Sequence, residues 1–383
     1  MREDFHYYAT YCAACLAGYS HEDSLAVAYS AQLVDLCSAS FLDRIGGPRQ
    51  AATTQLQAEL TDASTDPIEL QTITRIWASF HFLPYDLYAR KAGCSRLYLW
   101  KYRLICQPNG ALVKETVDLA KGRGLQAAGL AMHILADTWA HRNFAGTPSL
   151  VINNTDRRFA ELLPDGTERP IAFRHALSAP DDLEKDLFTN TMHQSDENSI
   201  MNLGHGRAGH LPDYSFLRYK YLPAWADYEE CVKDNPADYY RAFCQMIYAL
   251  KYLRAGEDAF QLDTYDGAAA APYEEEIRAI LEKRQLSASQ DWKAFGEKLS
   301  GSSIEAFDLG RWQAQYRAAA DKDVTFLGRF ILAALAQKSM VTNRIFASGN
   351  LVAGFSVNLK EKGFKGLRDF SALIRYFSKE DAQ

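Results

Sequence analysis

The stretch Ala131-Met132-His133-Ile134-Leu135-Ala136-Asp137-Thr138-Trp139-Ala140-His141 restricts what this chain can fold into more than any other. Its apolar residues predict a helix that seeks the core, yet His133, Asp137 and His141 fall at i, i+4 and i+8. On an α-helix each step of four advances about 6 Å along the axis and returns to the same face. A helix surrounded by its neighbours would therefore carry a stripe of three polar side chains. Each of them needs a partner inside the core. One histidine satisfied by one aspartate is an ordinary core arrangement. Three such groups in a row are better explained as metal ligands, and the rest of the fold must then bring further ligands to them.

Helices to surround that stripe are legible along the chain. From Tyr7 to Leu42 runs an Ala-, Leu- and Tyr-rich stretch broken at Gly18-Tyr19-Ser20. There Ser20, three residues before Asp23, predicts an N-cap. Ile68 to Phe80, Leu112 to Lys121 and Leu125 to His141 read as helices, and helical character returns from Pro236 to Leu253 and again beyond Gly267 to Ala271. Between Asn143 and Leu203 the composition shifts to Asn, Asp, Pro and Thr. Two short extended runs there, Arg158 to Leu163 and Thr167 to Arg174, flank Pro164-Asp165-Gly166 and predict a β-hairpin insertion at about residues 157–175. Read as a surface element, its excision from Phe159 to Phe173 is expected to leave the helical body folded. The expected class is mostly α: a multi-helix body over residues 1–260 that binds metal, with a helical extension over 261–383 packed on it.

The further ligands have candidates. Asp4-Phe5-His6 places two near the start, where alternation in an extended chain would point both the same way. Asp35 ends an otherwise apolar run from Ala28, and His81 stands within Phe80-His81-Phe82-Leu83-Pro84. Residues 204–213, GHGRAGHLPD, add His205, His210 and Asp213. This last stretch also satisfies G-x-G-x-x-G, but a dinucleotide fingerprint needs a strand before it and a helix opening inside it. Ser199 to Leu203 is short and mixed, and Leu211-Pro212 follows at once. The glycines are better read as backbone freedom that turns His205 or His210 inward. Arg207 between them is expected either to meet a substrate phosphate or to sit solvated in the loop. His193 is a further candidate by its nearness to the loop. This His/Asp mix suits zinc and related divalent metals, one to three ions. Cys12-x-x-Cys15 has redox spacing but no second CxxC, and is expected to be core packing.

The formal net charge of −6 over 383 residues argues against a grip on long duplex nucleic acid. No secretory signal or membrane span is legible, so the seven cysteines are expected as free thiols in a reducing cytoplasm. Lys338 to Lys379 is basic, and Phe364, Leu367, Phe370, Leu373, Ile374 and Phe377 give it an apolar helical face. It reads either as a contact for an anionic membrane or a protein partner, or as a terminal helix docked with its basic side in water.

Taken in order, His6, Asp35, His81, His133-x-x-x-Asp137, His141, His210 and Asp213 resemble the ligand order of zinc-dependent phospholipase C and the P1-type nucleases. Those are helical enzymes whose three clustered zinc ions cleave phosphate esters. A closer resemblance, over roughly residues 1–260, is to a bacterial family described only as a domain of unknown function; it is carried by DFHYY, AYSAQLVD, FHFLP, HILADTWAH and GHGRAGHLPD. The enzyme resemblance implies a helical bundle of the phospholipase C/P1 nuclease type and a zinc-dependent hydrolase acting on a phospholipid, nucleotide or oligonucleotide. It assigns Asp35, His81, His133 and Asp137 to one metal, and His141, His210 or His205, and Asp213 to a second. His6 and the N-terminal segment would hold a third, sharing Asp137. Asp137 would bridge metals, and Asp35 would be a ligand or orient the attacking water; Arg207 stays open between phosphate and solvent. The chain departs from those enzymes in its four-residue Asp137–His141 spacing, in its short His210–Asp213 pair with Pro212, and in lacking the processed N-terminal amine they use, for which Asp4 is expected to substitute. The rival reading is a non-catalytic, metal-stabilised helical binding protein.

Overall fold

The computed structural model describes residues 1–62, 67–155, 158–175, 180–191, 197, 199–255 and 259–354. Its axis is the helix Leu125–Ala140, in which every residue after Leu125 is buried. A helix buried on every side is a core helix, and its polar stripe must find partners inside. It packs against His21–Leu33, Asn235–Ala255, Ala111–Ala120 and Phe326–Ala347. The crossing with His21–Leu33 is close because Gly129 lacks a side chain: a Cβ there would sit 2.2 Å from the Val27 carbonyl oxygen. Ser20 caps that neighbouring helix by accepting the Asp23 N–H, as its sequence predicts.

One cluster of buried side chains runs from Met1 to Ala353, and Phe260, Ala270 and Ile277 belong to it on either side of residue 260. The late helices contribute directly. Ser289–Ser300 packs on the N-terminal segment, and Phe326–Ala347 lies along Pro67–Phe80 and the central helix. The fold is mostly α with a small sheet.

The N-terminus is not extended. Asp4–Ala9 forms a π-helical turn that runs into the helix Thr10–Leu16. In such a turn residues two apart point to nearly opposite sides, so the extended reading of Asp4-Phe5-His6 is corrected. His6 faces the core, whereas Asp4 accepts the N–H groups of Phe5 and Ala288, each at 2.9 Å.

The predicted hairpin is present as β1 (Ala160–Leu162) and β2 (Glu168–Pro170), turning through Gly166 at φ 83°. A short parallel pair follows, β3 (Ala172–Arg174) with β4 (Leu187–Thr189). The hairpin is not a peripheral insertion, however. Strand β1 also pairs with β5 (Arg218–Tyr221), which pairs with β6 (Cys231–Asp234), giving one antiparallel sheet of order β2-β1-β5-β6. Phe159, just before β1, is buried with its ring stacked 5.4 Å from Tyr221. Together with Phe82, Phe144 and Tyr219 it forms a second core beside His141.

The seven cysteines are free thiols. Among the described residues no helix is long and apolar enough to cross a membrane. Of the basic C-terminal segment, Lys338 donates to the Gln50 carbonyl and Arg344 pairs with Glu115. Its remainder from residue 355 onward, with the apolar face of Phe364 to Phe377, lies outside the described residues, as does His193.

Candidate metal centre

Five pieces of chain converge on the central helix. The helix itself supplies His133 and Asp137, and His141 stands at its C-cap. The π-helical turn supplies His6 and brings the Met1 nitrogen in behind it. Asp35 lies two residues beyond the helix His21–Leu33, and His81 directly follows Pro67–Phe80. The loop 204–213, wound as two 3₁₀ turns, supplies His205 and Asp213.

Asp137 is the hub. Its Oδ1 lies 2.7 Å from the Met1 nitrogen and 3.1 Å from His6 Nε2. Its Oδ2 lies 3.2 Å from both His81 Nδ1 and His133 Nε2, and 3.5 Å from His141 Nδ1. On one side, Asp35 Oδ1 stands 3.8 Å from His81 Nδ1 and from His133 Nε2. On the other, Asp213 Oδ1 meets His141 Nε2 at 3.2 Å and the Met1 nitrogen at 3.4 Å, while its Oδ2 is 3.8 Å from His205 Nε2. Three sets have ligand atoms that all lie within 4.8 Å of one another: His6, His133 and Asp137; Asp35, His81 and His133; His141, His205 and Asp213.

The outer nitrogens show what the inner ones are for. His81 Nε2 is 3.0 Å from the Thr53 carbonyl, His141 Nδ1 is 2.8 Å from the His81 carbonyl, and His205 Nδ1 is 2.7 Å from the Gly209 carbonyl. A carbonyl oxygen only accepts, so each of these nitrogens carries a proton, and the opposite nitrogen is the one that faces the cluster and would ligate an ion. Metal-ligating imidazoles are oriented in this way. Protein hydrogen bonding fails at the other two histidines. His6 and His133 are fully buried and stacked 3.8 Å apart, and both nitrogens of His6 and Nδ1 of His133 have no hydrogen-bond partner among the described residues. The short His6–Asp137 separation lacks hydrogen-bond directionality. Orphaned buried polar atoms are costly, and a cation placed among these donors would remove part of that cost.

Charge points the same way. Burial pushes His6, His133 and His205 down to about 4, so they are neutral near pH 7. Burial would raise Asp137, but His141, the Met1 ammonium, His133 and His6 hold it well below the usual carboxylate range. Asp213 is held low in the same manner, by His205 and the ammonium against burial. Burial raises Asp35, opposed by His6 and His81. The ammonium itself, which burial alone would lower, is raised to about 10 by Asp137, Asp213 and Asp35. Neutral His6, His133 and His205 around ionised Asp137 and Asp213 form a donor set for divalent ions.

Several sequence candidates sit elsewhere than expected. Asp4 is turned away from the cluster, and the place expected for it is filled by the Met1 nitrogen. Of the two loop histidines, His205 is grouped with His141 and Asp213. His210 is 55% exposed and approaches the outer flank of Asp213, with Nδ1 3.3 Å from Oδ2. Arg207 is buried, its Nε donating to Asn202 Oδ1 at 2.8 Å within the loop's own support. The glycines are required for a steric reason. Gly204 (φ 55°) would drive a Cβ to 2.2 Å from the Phe82 ring, and Gly209 (φ 57°) to 1.9 Å from the Thr189 carbonyl oxygen. Backbone groups were the contributors that side-chain patterns missed: the Met1 nitrogen and the carbonyls of Thr53, His81 and Gly209 leave no mark in the sequence.

Asp35 and His205, at 29% and 17% side-chain exposure, are the members of the three sets that reach the surface. A cavity of about 300 Å³ lined by Tyr19, Asp23, Gly122 and Arg254 opens near the opposite end of the central helix and shares no residue with the cluster. No curated protein and no solved structure matches the chain. A family of unknown function (DUF6765) matches residues 1–345, a span that takes in every residue of the cluster, and the chain belongs to that family.

Proposed function

We propose that the protein is a metal-dependent hydrolase of phosphate esters, with zinc as the fitting ion. The observation that carries the reading is the convergence of three His/Asp sets on Asp137, with the outer nitrogens of His81, His141 and His205 tied to carbonyls. Bound divalent ions would supply Lewis acidity and water activated near neutral pH. The protein's own part is positional and protonic. Asp137 faces His6 through one oxygen and His81 and His133 through the other, as a bridging carboxylate must. Asp35, partly exposed and with its carboxyl raised by burial, would ligate an ion or orient water and take its proton. The ligand order supports a bundle of the phospholipase C/P1 nuclease type and a phospholipid, nucleotide or oligonucleotide as substrate.

The second reading, a metal that only stabilises a binding protein, is favoured by the burial of His6, His133 and Asp137 at 0–1% exposure. Protein purified without chelator or polyhistidine tag separates the two. Stoichiometric zinc with chelator-sensitive hydrolysis of bis(p-nitrophenyl) phosphate or p-nitrophenyl phosphate supports the enzyme. Stoichiometric zinc with no hydrolysis supports the structural metal. Absence of any transition metal refutes both.

A further inference from the structure

Arg2 is bonded to the one residue whose backbone nitrogen enters the cluster, yet its own side chain is exposed. Among the described residues it forms no ion pair. It makes one hydrogen bond, from Nη1 to the Leu286 carbonyl at 2.8 Å. That bond and a stack over the Tyr214 ring, 5.6 Å from its centroid, hold the guanidinium in place. Tyr214 follows Asp213 directly and its ring also borders His210, at 6.4 Å in an edge-on approach. Arg2 is near enough to His210 and Asp4 for its charge to act on both. An anchored arginine therefore stands beside Tyr214, whose ring borders the His210 that flanks Asp213. Its Nε and Nη2, the side-on fork that matches two oxygens of a phosphate, have no partner among the described residues.

We infer that Arg2 is the residue that contacts the phosphoryl oxygens of the substrate on the Tyr214 and His210 side of the centre, the role first considered for Arg207. The inference rests on the phosphate-ester reading above. Buried Arg207 spends its Nε on Asn202 inside the loop, whereas Arg2 offers an exposed, oriented cation beside a cluster rich in carboxylates. A guanidinium fork pairs with two charged oxygens of one substrate group. Esters with charged non-bridging oxygens, mono- or diester, are the class so recognised; a neutral carboxylic ester gains nothing from it.

The test uses the full chain loaded with zinc, as wild type, Arg2→Gln and Arg2→Lys. Metal content is measured first, then inorganic phosphate binding by calorimetry, then hydrolysis of bis(p-nitrophenyl) phosphate, p-nitrophenyl phosphate and p-nitrophenyl acetate. Arg2→Gln should keep its metal and weaken phosphate about tenfold, the worth of one charge-assisted hydrogen bond. KM for whichever phosphate ester is cleaved should rise alike, with kcat little changed and any acetate hydrolysis unaffected. Arg2→Lys should recover only part, because an ammonium cannot form the fork. Unchanged phosphate affinity in Arg2→Gln overturns the inference, as does a wild type that binds no phosphate. A wild type that binds phosphate through Arg2 but hydrolyses neither ester instead counts against the enzyme reading.

Discussion

Replacing Asp137 with Asn keeps the shape of the hub and removes its charge. In the metal-free protein the Met1 ammonium at 2.7 Å loses its nearest carboxylate while both groups stay buried. Removing one partner of such a pair costs about 3–5 kcal/mol. That loss is expected whether or not the cluster binds metal, so it decides nothing. The informative quantity is the increment in melting temperature that zinc confers over chelator. At free zinc about 1,000 times Kd, wild type gains roughly 4 kcal/mol. Unfolding entropy of about 2.1 cal/mol/K per residue over 383 residues makes this about 5 °C. Asp137 belongs to one ligand set and touches histidines of the other two, so Asn should weaken zinc by about 100-fold or more, roughly 2.7 kcal/mol. The increment then falls below about 2 °C, and at free zinc lowered to about 10 times the wild-type Kd the site's occupancy falls from about nine-tenths to about a tenth. Scanning calorimetry in paired zinc and chelator buffers, with elemental analysis, reads both. An increment of the same size in Asp137→Asn, with full metal content, would refute the hub.

Acid should unfold the chelated protein early. His6 and His133 titrate at about 4 in the fold against 6.5 unfolded, so between those values the unfolded chain binds more protons and stability is lost as pH falls from about 6.5 to about 4; urea titrations showing a flat profile across that window would contradict the burial argument. Gly209→Ala forces a Cβ to 1.9 Å from the Thr189 carbonyl and disturbs the carbonyl that orients His205, so it should lower metal content. Gly206→Ala, whose Cβ would press on the movable Thr191 hydroxyl at 2.8 Å with the Met201 carbonyl at 3.4 Å and without positive φ, should lower it less, and equal losses would remove the steric account. Excising Phe159 to Phe173 should cut soluble yield and melting temperature, because Phe159 completes the aromatic core with Phe144 and Tyr221; an unchanged melt would restore the hairpin to the periphery.

The sequence alone determined the central helix and its stripe, because burial and the i, i+4 spacing are both written in residue types at fixed intervals. His133, Asp137 and His141 lie where that periodicity puts them, and Ser20 caps the helix its spacing announces. The hairpin was legible from Pro164-Asp165-Gly166, but its place in a four-stranded sheet was not, since β5 lies some fifty residues further along the chain and short strands carry no signature of their partners. At the N-terminus local reasoning failed: an extended chain and a π-helical turn fit the same six residues, and only packing against Asn235–Ala255 and Ser289–Ser300 selects the turn that sends His6 inward and Asp4 to Ala288. The choice of His205 over His210 was likewise tertiary. Both have the same local surroundings of glycine, and what separates them is a carbonyl at Gly209 held by the wall of Thr189, a contact between distant segments that residue spacing cannot encode.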